Sequence, residues 1–164
     1  MIDDDEESVL VSVQEDGMAL EFADESYRAD KAIVLEAIRT TCASLQFADE
    51  SLKQDRSFII EAVKLNGVVL EYVEKNFKKD KSIVLAAIKS DGWALQHADK
   101  IFLKNKVFVL ASVKQNGQAL QFADESLKND KSVVLAAVKE DVAALEFADE
   151  SLKNDPDIIK AAKK

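Results

Sequence analysis

The sequence predicts an all-α chain folded as an α-solenoid of stacked helix pairs, one pair in each 25-residue unit. Three observations lead there. Leu20, Leu45, Leu70, Leu95, Leu120 and Leu145 recur every 25 residues with no insertion or deletion between them, the mark of a repeat architecture. Residues able to cap a helix, Asp5, Asp30, Asp55, Asp80, Asn105, Asp130 and Asp155, recur with the same period. The apolar residues that follow them have helical spacing, in runs of about ten residues that are marginal in water unless neighbours bury their faces. Counted from the capping residues, the units are 5–29, 30–54, 55–79, 80–104, 105–129 and 130–154, with a capping fragment at 155–164, in one domain spanning 1–164.

The first helix of a unit opens after its capping residue. In Asp130 to Lys139, DKSVVLAAVK, residues Val133, Val134, Ala137 and Val138 fall on one helical face, with Ser132, Ala136 and Lys139 on the other. Glu36 and Glu61 stand at the place of Ala136 in units two and three, which a helix tolerates and a buried strand does not. Asp16-Gly17, Asn66-Gly67, Asp91-Gly92 and Asn116-Gly117 come next, and glycine after a helix predicts a left-handed C-cap. Val142 at that place conflicts with such a cap, because a β-branched residue is poorly suited to the left-handed region.

A second, shorter helix is expected from Gln118 to Lys128, with Ala119, Leu120, Phe122, Ala123 and Leu127 on one arc and Gln121, Asp124 and Glu125 opposite. It ends near Asp124 and passes through a turn to the next capping residue. The ends read as wettable caps: Ser8 stands where other units have Ile, Val or Phe, and Lys160 and Lys163 replace the Leu and Val of the first helix. Pro156 suits the first turn of the last helix.

Composition narrows the function. With 164 residues, 48% apolar and 32% charged, the chain is of a soluble, globular kind, and one Pro and four Gly leave little room for β turns or flexible linkers. No apolar run approaches the roughly 18 residues of a membrane span, and Met1 to Ser8 is acidic where a secretory signal is basic and then apolar. No membrane partner is expected. A lone Cys42 and a lone His97 exclude an intramolecular disulfide and a Cys/His zinc set; an intracellular setting fits, and the compartment is otherwise unspecified. The net charge of −9 disfavours nucleic acid, whose binding needs clustered Lys and Arg.

The consensus VVLAAVKxNGxALxFADESLKNDK, clearest in the last two units, resembles the tandem helical repeats of domain-of-unknown-function family forty-one sixteen. One such domain spans a pair of these units, and the resemblance covers essentially the whole chain. It implies helical repeats, and neither an activity nor a catalytic residue. Cys42 and Val142 at the glycine place, His97 at the aromatic place and Asn105 at the Asp place depart from the pattern.

No catalytic, cofactor-binding or metal-binding residues are expected, and no cofactor. His97 aligns with Phe22, Phe47, Tyr72, Phe122 and Phe147 and reads as filling an aromatic packing slot. Cys42 reads as a small residue in a tight turn. The acidic ladder Asp24, Asp49, Glu74, Asp99, Asp124 and Asp149 lacks a calcium-loop pattern and reads as a solvated charge row. It is expected to pair between units with the ladders Arg39, Lys64, Lys89, Lys114, Lys139 and Arg28, Lys53, Lys78, Lys128, Lys153, at no more than about 1 kcal/mol per exposed pair.

The departures among copies carry the functional expectation. Around the turn, Leu65, Val68 and Trp93 form one candidate interface, and Ile101, Leu103 and Val107, where other units are polar or small, form another. The alternative is that these groups simply pack on one another. The sequence therefore reads as a non-enzymatic helical-repeat scaffold that binds a protein partner or a second copy. A purely structural spacer is the alternative, and repeat-coded nucleic-acid binding, which needs a basic face, is a remote one.

Overall fold

The computed structural model describes residues 5–163; Met1 to Asp4 and Lys164, which the sequence reading includes in the domain, lie outside them. The described residues form α and 3-10 helices and no strand, in tandem units whose substantial contacts lie within a unit or between neighbours. This is an all-α helical-repeat solenoid.

A unit contains three helical pieces where a pair was expected. In unit six they are Lys131–Glu140, a 3-10 helix Val142–Phe147 and a short helix Glu150–Lys153. Unit five repeats the order with Lys106–Val113, Gly117–Phe122 and Glu125–Lys128. The expected second helix is broken because Ala123 is extended (ψ 151°) and the next residue, Asp124, binds the amide of Ser126. An aspartate that offers its carboxylate to a nearby amide starts a new helix more readily than it continues an old one.

Capping is the local rule throughout. All seven predicted residues, from Asp5 to Asp155, accept a hydrogen bond from a first-turn amide of the helix they precede. Asp16, Asn66, Asp91, Asn116 and Asp141 cap the 3-10 helices, and Asp49, Asp99, Asp124 and Asp149 cap the short ones. The acidic ladder is thus largely a row of capping groups rather than free solvated charge. The Ser51, Ser126 and Ser151 hydroxyls hold the carboxyls of Asp49, Asp124 and Asp149 below their ordinary pKa.

The left-handed glycine cap is absent: no described residue has positive φ. Glycine serves a different need. A Cβ on Gly92 would stand 2.7 Å from the Ser112 carbonyl oxygen of the next unit, and those on Gly17, Gly67 and Gly117 would meet the carbonyls of Ala37, Ala87 and Ala137. The 3-10 turn of each unit lies directly on the first helix of the following one, and only a bare Cα fits. Val142 stands beside the last, partial unit and is half exposed. Cys42, half-buried, marks the one joint between complete units that admits a side chain there.

The core is a continuous ladder. Ile33, Val34, Ala37 and Ile38 and their counterparts Val133, Val134, Ala137 and Val138 are buried, as are Leu20, Leu45, Leu70, Leu95 and Leu120. Leu145, beside the end of the stack, is only partly buried, and Lys160 and Lys163 are exposed. Units are tied by backbone bonds such as Asp124 N–H to Leu103 O at 2.9 Å and Asp149 N–H to Lys128 O at 3.0 Å.

The ion pairs correct the expected pairing. Lys53, Lys128 and Lys153 bind Glu50, Glu125 and Glu150 of their own short helices. Between units the first-turn cation binds the next capping aspartate: Lys31–Asp55, Arg56–Asp80, Lys106–Asp130 and Lys131–Asp155, at 2.6 to 2.9 Å. Asp99 and Asp124 do reach the preceding unit, through Lys79 and Lys104. Asn105 removes the rung opposite Lys81.

Candidate functional site

Three titratable groups away from the caps, Cys42, Tyr72 and His97, feel one carboxylate, Glu71. His97 Nε2 lies 3.8 Å from a Glu71 oxygen. Burial pushes the imidazole pKa below its ordinary value, with Glu71 opposing, so the ring is neutral at neutral pH. Burial, and then Glu71, push the Cys42 thiol up, which keeps it protonated and a poor nucleophile. Burial and Glu71 also raise the Tyr72 phenol. Glu71 was missed in the sequence because its column, Glu21, Gln46, Gln96, Gln121 and Glu146, is uniformly polar. The aromatic slot that His97 occupies is nowhere fully buried, and Phe22, at its N-terminal end, is 71% exposed.

The first candidate interface is mostly occupied from within. Leu65 packs against the core and Val68 is half-buried. Trp93, also half-buried, presents its ring edge-on to Phe122 of the next unit, with centroids 5.3 Å apart.

The second is different. Ile101 on the short helix Lys100–Leu103 is 58% exposed and Val107, in the first turn of Lys106–Val113, is 68% exposed, while Leu103 is half-buried. The counterparts of Ile101, Ser51, Ser126 and Ser151, donate their hydroxyls to capping aspartates at 2.5 to 2.7 Å. Ser57 and Ser132, two of the counterparts of Val107, donate to Asp55 and Asp130 at 2.6 Å, while Ala32 has no hydroxyl at that place. Ile101 and Val107 keep only the amide bonds to Asp99 and Asn105, at 3.1 and 3.0 Å. Unit four and its junction with unit five thus replace two capping hydroxyls with exposed apolar groups.

A further surface runs along the outward side of the first helices. Ser82, Leu85, Ala86 and Lys89 line a groove of about 430 Å³ with Lys64 and Ser90. Ser132, Leu135, Ala136 and Lys139 line another of about 360 Å³ with Lys114 and Glu140. The same register on the helix between them holds Val107, Leu110, Ala111 and Lys114. The Leu column was legible at its 25-residue spacing, but its partial exposure was not, because an apolar residue beside the buried face reads as core.

The sequence profile of the family described as domain of unknown function (DUF4116) matches residues 5–53, 30–78, 55–103, 105–149 and 133–164. The chain belongs to this family. Successive DUF4116 matches at 5, 30 and 55 advance by one unit and overlap by one, as expected where each unit is completed by the next. No curated protein and no solved structure matches the chain. Among the described residues no DUF4116 helix is long and apolar enough to cross a membrane, and no group of three or more His, Cys, Asp or Glu is placed to hold a metal ion.

Proposed function

We propose that the protein is a non-enzymatic helical-repeat scaffold that binds another protein, with Ile101 and Val107 at the contact. One observation carries the reading: at both positions a serine that would complete a helix cap is replaced by an apolar side chain more than half exposed. Losing such a hydroxyl bond costs up to about 1 kcal/mol, and the exposed side chain recovers little by local packing. A partner that covers it would recover more. The Cys42 thiol, kept protonated by burial, is a poor nucleophile, which supports a role other than catalysis.

The test compares the wild-type chain with Ile101→Ser/Val107→Ser. A partner identified by cross-linking in extract should be lost from the double variant while the fold is kept. Undiminished capture would overturn this reading of the contact and favour the structural-spacer role. Light scattering over a range of concentrations separates a second copy from a different partner.

A further inference from the structure

The outward face of units four to six combines two features that are independent of each other. Its centre is apolar, with Leu85 and Ala86, Leu110 and Ala111, and Leu135 and Ala136 all partly exposed along the helices Lys81–Ser90, Lys106–Val113 and Lys131–Glu140. Its border is cationic, because Lys64, Lys89, Lys114 and Lys139 project from the C-terminal ends of successive first helices. In a chain of net charge −9 these four exposed lysines form no ion pair and no side-chain hydrogen bond among the described residues. Arg39, the same position in unit two, is neutralised by Glu36.

The face is also bounded. Glu36 and Glu61 take the Ala place on the N-terminal side, and Asp157 and Lys160 take the Ser and Leu places on the C-terminal side. Glu140 is the one carboxylate that lines either of the two grooves there. Packed helices stand about 8–10 Å apart, so the surface offers one apolar step and one unpaired ammonium at that interval.

We infer that this trough binds an acidic polypeptide segment, apolar side chains in the Leu/Ala steps and carboxylates on the row Lys64, Lys89, Lys114 and Lys139. Charge complementarity selects the occupant: an apolar peptide would leave the ammonium groups without partners, and a basic one would meet them head-on. The inference rests on the reading of the protein as a binder of polypeptides and shares Val107, in register with Ser82 and Ser132, with the contact proposed above, but it does not use Ile101, which belongs to the separate short helix Lys100–Leu103.

The test titrates the intact chain into fluorescein-labelled peptides carrying Glu and Leu at a three-residue repeat, for an extended ligand, and at a heptad repeat, for a helical one. At least one should bind, and changing its Glu to Gln should weaken binding by about tenfold or more. Lys89→Glu/Lys114→Glu/Lys139→Glu should cause a loss of similar size with an unchanged melting temperature, and Lys→Gln at the same positions a smaller one. Binding should also weaken with salt. Failure of both peptides, equal affinity for Glu and Gln peptides, or indifference to the lysine changes would overturn the inference. Stronger binding of labelled oligothymidine or phosphatidylserine vesicles would overturn it too, as would concentration-dependent self-association abolished by the same changes. Partner capture that depends on Ile101 but not on these lysines would overturn this inference alone and leave the broader scaffold reading standing.

Discussion

At residue scale, Gly92 and its equivalents are held by space. The Cβ of Gly92→Ala would meet the Ser112 carbonyl at 2.7 Å and the Asn116 nitrogen at 3.1 Å. Both are backbone atoms, one in the packed helix Lys106–Val113 and one in the turn that follows it, and cannot swing away as a side chain would, so the substitution should destabilise by about 1–3 kcal/mol. Val142→Ala, with no complete unit beyond it, should leave the urea midpoint within error. A positive-φ glycine would give the same loss at Gly92, but the tight Cβ contacts already assign the cause. The sequence could not separate these two uses of glycine, since a left-handed turn and a close approach demand the same residue. Val142 held the clue: a β-branched residue at that place argues for a normal φ. Ile101→Ser and Val107→Ser carry the opposite expectation. Each should restore the hydroxyl bond that Ser126 and Ser132 make at 2.7 and 2.6 Å and raise stability by up to about 1 kcal/mol. A fall in melting temperature would mean that the apolar groups are packed within the fold after all.

At the scale of elements, the succession of short helical pieces, most of them capped by Asp or Asn, explains both the acidity of the chain and the limits of sequence reading. The first helices were legible because their caps and their buried faces agree. The 3-10 helix was not, because Ala119, Leu120 and Ala123 at i, i+1 and i+4 suit an α-helix equally well. Its break depends on Asp124 capping a new helix, which the residue type permits but does not require. The Ile101 and Trp93 candidate surfaces were legible as departures from the repeat; the exposure of Ile101 and Val107, the edge-on contact of Trp93 with Phe122 and the unpaired state of the lysine row needed the neighbouring units in place. Pairing between units follows the capping residues as well. Lys31, Arg56, Lys106 and Lys131 each hold the next capping aspartate, and Asn105 leaves Lys81 without one. Asn105→Asp should keep the cap on the Val107 amide, add the missing rung, and stabilise by at most about 1 kcal/mol, a gain that vanishes in high salt. An equal gain at every ionic strength would locate the effect in the cap instead.

For the whole molecule, the repeated caps act together on pH dependence. Lys106 holds the Asp130 carboxyl down to about 2, and Lys31, Arg56 and Lys131 depress Asp55, Asp80 and Asp155. Such depressed groups contribute stability above their ordinary pKa of 3.8, and that contribution is lost as pH falls through the folded values. The raised pKa values of Lys31 and Lys131 work on the other side: their contribution is present below 10.5 and lost as pH rises past the folded values. Urea midpoints should therefore be flattest between roughly pH 7 and 9 and fall on both sides, the lowered imidazole of His97 adding a loss below its ordinary 6.5 and the raised thiol of Cys42 one above 9.0; a steady slope within that window would contradict this set of groups.

The stack itself makes position along the array matter more than residue type. Leu95 is fully buried between complete neighbours, whereas Leu145 is only partly buried beside the terminal fragment. Leu95→Ala should cost about 2–5 kcal/mol and Leu145→Ala clearly less. Because each unit is stable only against its neighbours, the loss at Leu95 falls on the coupling between the two halves of the array. The expected result is a broadened or two-step melt for Leu95→Ala, with amide exchange accelerated first in units three to five, against a small, still cooperative shift for Leu145→Ala. Identical shifts for the two variants, or an unchanged melt for Leu95→Ala, would mean that the units do not depend on one another as the buried leucine ladder requires.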